Sequence, residues 1–294
     1  MYYRRKIILA LLQLFDDQLE KIRLQKLLFL FTAKQQKRIY DFVPYRFGCY
    51  SYSANADLTA MTARGLVAES KAGYTKLEKT DYLKSISQED LHHLRQVKTE
   101  CGRMSARALI KHTYVNYPFY AINSEVAADI LTKGELARIE ASRPASKKIV
   151  LFTIGYEGIS LEEYLVRLVK NDVKGLVDVR RNPLSMKYGF SKSQLKRYCE
   201  SLGIVYVHMP EVGIQSEYRQ DLNSQSDYDK LFAYYRKQNL AKTTETQIAI
   251  LDLLKRNRRI ALTCFEANIC QCHRKHLAEA IQALPGFQYE VQHI

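Results

Sequence analysis

Residues 259–281 have the sequence RIALTCFEANICQCHRKHLAEAI, which predicts a strand, a polar loop and a helix in that order. The apolar run 259–263 is typical of a buried strand, and the residues from His276 onward have the apolar spacing of a helix. The loop between them contains three thiols, a carboxylate, an imidazole and a guanidinium. Ligands bind at the carboxyl ends of strands in open α/β sheets, so this loop is the first candidate for a functional site.

The alternation of strands and helices continues through the whole stretch 149–294. Capping boxes at Ser160 and Ser191 predict the starts of two helices, because a serine followed three residues later by Glu or Gln can satisfy free amides. Two more helices are predicted at about 226–239 and 243–256. The predicted strands are 149–154, 175–180, 204–208, 259–264 and about 287–291. This pattern predicts an α/β domain with a mainly parallel sheet flanked by helices. Because no Gly-x-Gly-x-x-Gly or Walker-type loop is present, no cofactor is predicted.

The amino-terminal part has a different, mainly helical pattern. Residues 1–84 predict helices followed by a short hairpin at 66–77, the order found in winged-helix modules that bind nucleic acid. A helical protein–protein module without DNA contact is the alternative. Residues 85–148 predict a basic helical extension that ends in a polar linker at 140–148, where we place the domain boundary.

Composition favours a polyanionic partner. The chain has 294 residues, a net charge of +14 and 21 tyrosines, many of them next to basic residues. Cationic and aromatic groups together suit phosphate contact and base stacking, so the expected partner is nucleic acid, most simply DNA. The chain contains no apolar run of the roughly 18–20 residues needed to span a bilayer. We therefore expect a cytoplasmic protein with no membrane partner; the sequence leaves the oligomeric state open.

Charged and polar residues follow several of the predicted strands and should meet at one edge of the sheet. Asp178 lies in an apolar strand, where a carboxylate is costly unless it is paired. Arg180 points the same way two residues on. Asp178 could form a structural ion pair with Arg181 or Arg274, or it could be catalytic. Arg180 and Arg181 could hold a phosphate, and Glu266 could act as a general acid or base.

The cysteines after the last long strand allow three interpretations. Cys264, Cys270, Cys272 and His273 have the right chemistry for zinc, although the spacing is unlike that of a zinc knuckle. Cys272 could instead be a thiolate activated by His273 and a helix amino terminus. In the third interpretation, Cys264 packs in the core and His273 caps the helix.

Separated motifs in residues 149–294 resemble the YeaO-like domains of unknown function, DUF 488. They are Thr153–Gly158, Leu176–Ser185, Val207–Gly213, Cys264–Glu266 and Cys272–Ala278. The resemblance implies that Asp178, Arg180, Ser185, Cys272, His273 and Arg274 recur in the family. It weakens the zinc interpretation, because Cys270 lies outside the motif, and it implies no particular reaction. Residues 23–30 and 45–50 also resemble the start of Panacea or SocA-like domains, with Gly-Cys in place of Gly-Pro.

These observations predict an enzyme that acts on DNA or on a nucleotide-derived group, by base excision or phosphodiester cleavage. Asp178 and Glu266 would transfer protons, with His273 orienting them and Cys272 in the same catalytic group. Phosphate and substrate would be held by Tyr156, Arg180, Arg181, Ser185 and Arg274. The alternative is a non-enzymatic DNA-binding sensor or regulator that recognises an anion or a modified base.

Overall fold

The structure is a computed structural model that describes residues 1–215, 218, 222 and 224–294. The chain forms two compact units, Met1–Arg143 and Pro144–Ile294. The division lies within residues 140–148, where the sequence places its polar linker. No helix in the described part of the chain has the length and apolar character needed to cross a membrane.

The first unit is mostly helical, with two small antiparallel sheets. Its helices are α1 (Tyr3–Leu14), α2 (Lys21–Thr32), α3 (Tyr52–Ala63), α4 (Gln88–Cys101), α5 (Ala106–Asn116), α6 (Ala127–Ile130) and α7 (Lys133–Ala141). Its strands are β1 (Gln18–Leu19), β2 (Val43–Tyr45), β3 (Gly48–Tyr50), β4 (Val67–Glu69) and β5 (Tyr74–Lys76). Strands β1, β5 and β4 form one sheet in that order, and β2 pairs with β3 in the other.

Helices α1 and α2 form the centre of this unit, because most of their side chains are buried. The helices after Gln88 pack on the same core: buried Leu91, Leu94 and Leu109 belong to it. The predicted hairpin at 66–77 is present as β4 and β5. The structure therefore confirms a mainly helical first unit, while its identity as a winged helix stays a prediction.

The second unit contains a five-stranded sheet with helices around it. Its strands are β6 (Val150–Gly155), β7 (Gly175–Asp178), β8 (Val205–His208), β9 (Arg259–Cys264) and β10 (Glu290–His293). Its helices are α8 (Leu161–Lys170), α9 (Lys192–Glu200), α10 (Gln225–Gln238), α11 (Thr244–Asn257) and α12 (His273–Gln282). The strand order is β10-β6-β9-β7-β8, and every pair is parallel, which confirms the predicted α/β fold.

The two predicted helix caps in this unit behave differently. The Oγ atom of Ser160 accepts a hydrogen bond from the amide of Glu163 at 3.0 Å, as expected for the start of α8. Ser191 immediately precedes α9, which confirms the predicted helix start, but its side chain makes no capping hydrogen bond, so the predicted capping box was wrong. Its hydroxyl instead donates to the carbonyl of Ser185 at 3.0 Å and accepts from the Ser185 amide at 3.2 Å. Ser191 thus closes the loop that follows β7.

Candidate functional site

A pocket of about 330 Å³ lies at the carboxyl edge of the parallel sheet. It is placed there because β6, β9 and β7 are neighbours in the sheet and their carboxyl ends meet. The residues that line it come from the segments after these three strands, from the start of α12 and from Ile214. They are Tyr156, Arg180, Arg181, Asn182, Leu184, Ser185, Met186, Ile214, Cys264, Phe265 and His273.

Asp178 is bound on both carboxylate oxygens beneath this pocket. Its Oδ1 accepts from Arg180 Nε at 2.8 Å and from the Arg180 amide at 3.2 Å. Its Oδ2 accepts from Arg180 Nη2 and, at 2.6 Å, from the Tyr206 hydroxyl. The side chain is fully buried. These contacts form a structural ion pair, but its partner is Arg180, not Arg181 or Arg274 as the sequence suggested. A catalytic role for Asp178 stays an untested prediction.

Arg180 forms part of the pocket wall and is held on several sides. Besides Asp178, its Nη1 donates at 2.8 Å to the Tyr156 hydroxyl and to the Phe190 carbonyl. The Tyr156 ring stacks on Phe190 with 4.2 Å between centroids. Burial opposes the charge on Arg180, but hydrogen bonds and charge from Asp178 outweigh it and raise the pKa of the guanidinium. Arg180 therefore stays cationic and fixes the position of the Tyr156 ring.

The loop after β7 supplies the exposed side of the pocket. Arg181 is exposed, and its Nη1 donates to the Pro210 carbonyl at 3.3 Å. Ser185 lies further along the loop, and its Oγ accepts from the Lys187 amide at 3.2 Å. Leu184 and Met186, on either side of Ser185, are largely solvent-exposed. A cation, hydroxyls and exposed apolar side chains therefore surround the pocket entrance.

Two cysteines and a histidine form a buried cluster at the bottom of the pocket. The sulfur atoms of Cys264 and Cys272 and a ring nitrogen of His273 all lie within 4.8 Å of one another. His273 Nε2 is 3.1 Å from the Val179 carbonyl, and Nδ1 is 3.6 Å from Cys264 Sγ. Cys272 is the residue before α12, yet its side chain forms no cap. Burial is the main reason that the pKa of the Cys272 thiol lies well above its usual value, with the Cys264 contact adding to the shift.

This arrangement corrects two of the predictions for the cysteine segment. Cys270 is exposed and lies apart from the cluster of Cys264, Cys272 and His273. His273 does not cap the helix, because its ring nitrogens contact Val179 and Cys264. The prediction that Cys264 packs in the core is confirmed, since its side chain is buried among the apolar residues of the second unit.

Glu266 and Arg274 lie beside the cluster and shape the loop after β9. Glu266 Oε2 accepts from Cys264 Sγ at 3.1 Å, and Glu266 also lines a neighbouring cavity of about 270 Å³. Arg274 is buried and donates to the Glu266 carbonyl at 2.5 Å and to the Ala267 carbonyl at 3.2 Å. Arg274 therefore supports the loop backbone, and its role in phosphate binding stays a prediction.

Residues 160–281 match the family model described as Domain of unknown function DUF488. This segment of the chain is therefore similar to the DUF488 family. The match lies inside the range 149–294 over which the sequence resembles this family, and it includes the cluster and the loop after β7. No curated protein and no solved structure matches the chain. The DUF488 assignment confirms the resemblance and leaves the reaction to be argued from the site.

Of the predicted site residues in and around the DUF488 segment, five line one pocket: Tyr156, Arg180, Arg181, Ser185 and His273. The sequence predictions missed several other contributors, including Asn182, Phe265 and the Tyr206 hydroxyl that binds Asp178. Tyr206 could have been found from its spacing, because residues two apart in a strand share a face and Tyr206 precedes His208 in β8 by two.

Proposed function

We propose that this protein binds nucleic acid and that its second unit is an enzyme acting on DNA or on a nucleotide-derived group. The observation that carries the proposal is the composition of the pocket: an exposed guanidinium and hydroxyls lie at its entrance, and a thiol–imidazole pair lies at its bottom. A phosphate held at the entrance would bring the attached base or ester bond near Cys264 and His273. The net charge of +14 supports a polyanionic substrate.

Arg181 is the best candidate for the phosphate contact. Its guanidinium has five N–H groups, and the bond to Pro210 uses one of them, so it can bind an anion without losing that support. Arg180 is committed to Asp178, Tyr156 and Phe190, and Arg274 is committed to the backbone of the loop after β9. We therefore assign substrate binding to Arg181 and Ser185, with the Tyr156 and Phe265 rings offering stacking surfaces.

The reacting groups would be those around His273. A backbone carbonyl only accepts hydrogen bonds, so the contact with Val179 places the proton of the neutral imidazole on Nε2. The lone pair of Nδ1 then faces Cys264 Sγ. Glu266 lies on the other side of the same sulfur and is half-buried, which is a suitable place for a general acid or base. Base excision and phosphodiester cleavage are both compatible with these groups.

The test is incubation of the full-length protein with plain and modified DNA, single- and double-stranded, with and without divalent metal. Strand breaks or abasic sites are the expected products. Glu266→Gln should lower turnover by about 100-fold or more while binding is retained, which is the size of effect seen for general acid–base groups. Glu290→Gln, which changes an exposed carboxylate on β10, is the control and should act like the native protein.

Substrate binding has its own matched pair of variants. Arg181→Glu should weaken binding, whereas Arg256→Glu makes the same charge change at the end of α11. Because β9 begins three residues after Arg256, that arginine lies at the opposite edge of the sheet. If the two variants bind equally well, the pocket is not the binding site. Specific binding without any product would support the alternative function, a sensor or regulator that recognises an anion or a modified base.

A further inference from the structure

We propose that Cys264, Cys272 and His273 bind a zinc ion through Sγ, Sγ and Nδ1. The two sulfur atoms and a ring nitrogen of His273 lie within 4.8 Å of one another, Nδ1 is the nitrogen that faces Cys264, and all three residues are at most 1% exposed. Two thiols and an imidazole form a ligand set that selects zinc over magnesium or calcium. The ligands come from the end of β9 and the start of α12, so the fold brings them together without the Cys-x₂₋₄-Cys unit of a zinc knuckle.

The measured separation fits a shared ion. Zinc lies about 2.3 Å from a thiolate and about 2.0–2.1 Å from an imidazole nitrogen. At a tetrahedral angle these lengths place the sulfur and the nitrogen about 3.6 Å apart. The distance from Cys264 Sγ to His273 Nδ1 is 3.6 Å. An ion can therefore be placed between these two ligands with little movement of either side chain.

The surroundings of His273 are also those of a metal ligand. A ligating histidine usually donates its other N–H to a carbonyl or a carboxylate, which fixes the ring and directs the free nitrogen at the metal. His273 makes this contact with Val179, and the ring edge packs against Tyr235. Cys272 lies at the cap position of α12 but forms no cap, so its sulfur belongs to the cluster instead of the helix end.

Three protein ligands leave one position of a tetrahedral ion for water or substrate, as in catalytic zinc sites. Cys264 and His273 both line the 330 Å³ pocket, so a ligand in the pocket would lie next to the ion. The following step rests on the proposed function. Zinc held by these residues would activate a water for attack on the electrophilic carbon or phosphorus, and Glu266, next to Cys264 Sγ, would take the proton of that water and return it to the leaving group as its bond breaks. Hydrolysis by this route needs no other co-reactant.

The experiment measures metal in tag-free, full-length protein after expression with added zinc, and again after reconstitution with cobalt. One metal ion per chain is expected. The cobalt form should show the near-ultraviolet charge-transfer band of thiolate ligands and the visible bands of a tetrahedral ion. Loss of an outer hydrogen-bond partner of a metal ligand lowers metal affinity roughly 10–100-fold. Cys264→Ser, Cys272→Ser and His273→Gln remove a ligand itself, so each should lower zinc affinity by more than that.

Cys270→Ser is the matched control, because Cys270 is exposed and lies two residues before Cys272. This variant should keep the metal and the cobalt spectrum unchanged. A native protein that binds no metal, or that contains a Cys264–Cys272 disulfide, overturns the proposal, as does loss of metal in Cys270→Ser. If the ligand variants do not fold, the cobalt spectrum of the native protein tests the proposal, because absence of the thiolate band would overturn it. Metal binding without turnover on any nucleic acid leaves the zinc site standing and refutes the proposed function alone.

Discussion

The carboxylate of Asp178 and the guanidinium of Arg180 form a bidentate ion pair two residues apart, with side-chain exposures of 0% and 6%. Removing one partner of such a pair leaves the other charge buried without compensation. Asp178→Asn should therefore lower the free energy of unfolding by about 3–5 kcal/mol, measured by urea denaturation.

A surface pair in the same unit provides the control for this prediction. Asp252 lies 3.7 Å from Lys255 on α11, and both side chains are about half exposed. Asp252→Asn should change the unfolding free energy by less than about 1 kcal/mol, because exposed pairs contribute little. An Asp178→Asn protein that unfolds like the native protein but has lost activity would contradict the structural role and restore the catalytic one.

His276 should make the stability of the second unit depend on pH. Burial lowers its pKa; Glu279 opposes this shift, and the charges of Arg236 and Lys275 add to it. The ring also packs against Phe232. Because the folded state favours the neutral ring, the stabilisation is complete above the unfolded pKa of about 6.5 and is lost as the pH falls through the lower folded pKa.

The measurement for this prediction is urea denaturation of native protein and His276→Gln at about pH 7.5 and about pH 5.5. Carboxylates also titrate in acid, so the comparison between the two proteins isolates the histidine. The native protein should lose more stability between these pH values than His276→Gln does. An equal loss in both proteins would show that His276 titrates alike in the folded and unfolded states.

Gly155 is required by the close approach of two backbone segments at the site. A Cβ atom there would collide with the carbonyl oxygen of Glu266 and would lie 3.2 Å from Nη1 of Arg274. Gly155→Ala should displace the loop after β9 and cost about 1–3 kcal/mol, the usual penalty for overpacking. Gly134→Ala is the control: nothing lies within 4 Å of that Cβ, and alanine in α7 should stabilise by up to about 1 kcal/mol. Denaturant titration of both variants measures the difference.

The sequence predicted the architecture of the second unit well because each strand is a short apolar run bounded by turns. It also placed Tyr156, Arg180, Arg181, Ser185 and His273 at one edge, since parallel strands bring their carboxyl ends together. Strand order was not predicted, because the alternation of elements does not reveal that β9 lies between β6 and β7. That order is what brings Cys264 next to the segments of Tyr156 and Arg180.

Side-chain partners were harder to predict than positions. The pattern of residues 264–274 suggested Cys270 as a ligand, but its exposure in a short turn removes it from the cluster. A capping box was predicted at Ser191 because the motif was present, but the hydroxyl is used by the backbone of Ser185. In both cases the local sequence pattern did not reveal how the fold places the side chain.

The proposed nucleic-acid contact of the first unit can be tested at its hairpin. The order α1, β1, α2, β2, β3, α3, β4, β5 contains helices followed by the β4–β5 hairpin, which supports the winged-helix proposal, in which the β4–β5 turn would contact the phosphate backbone. Lys71 is exposed in that turn, and Arg64 is exposed at the end of α3. Lys71→Glu and Arg64→Glu should each weaken DNA binding and reduce the slope of log affinity against log salt by about 1.

Lys133→Glu on α7 makes the same charge change at an exposed position of the same unit and serves as the control. Fluorescence anisotropy with labelled duplex DNA at several salt concentrations measures both quantities in the full-length protein. If all three variants weaken binding equally, the net charge of the chain attracts DNA without a defined surface. If only Lys71→Glu and Arg64→Glu reduce the salt slope, the phosphate contact lies at the β4–β5 hairpin and the end of α3, because the slope reports the phosphates that a residue neutralises.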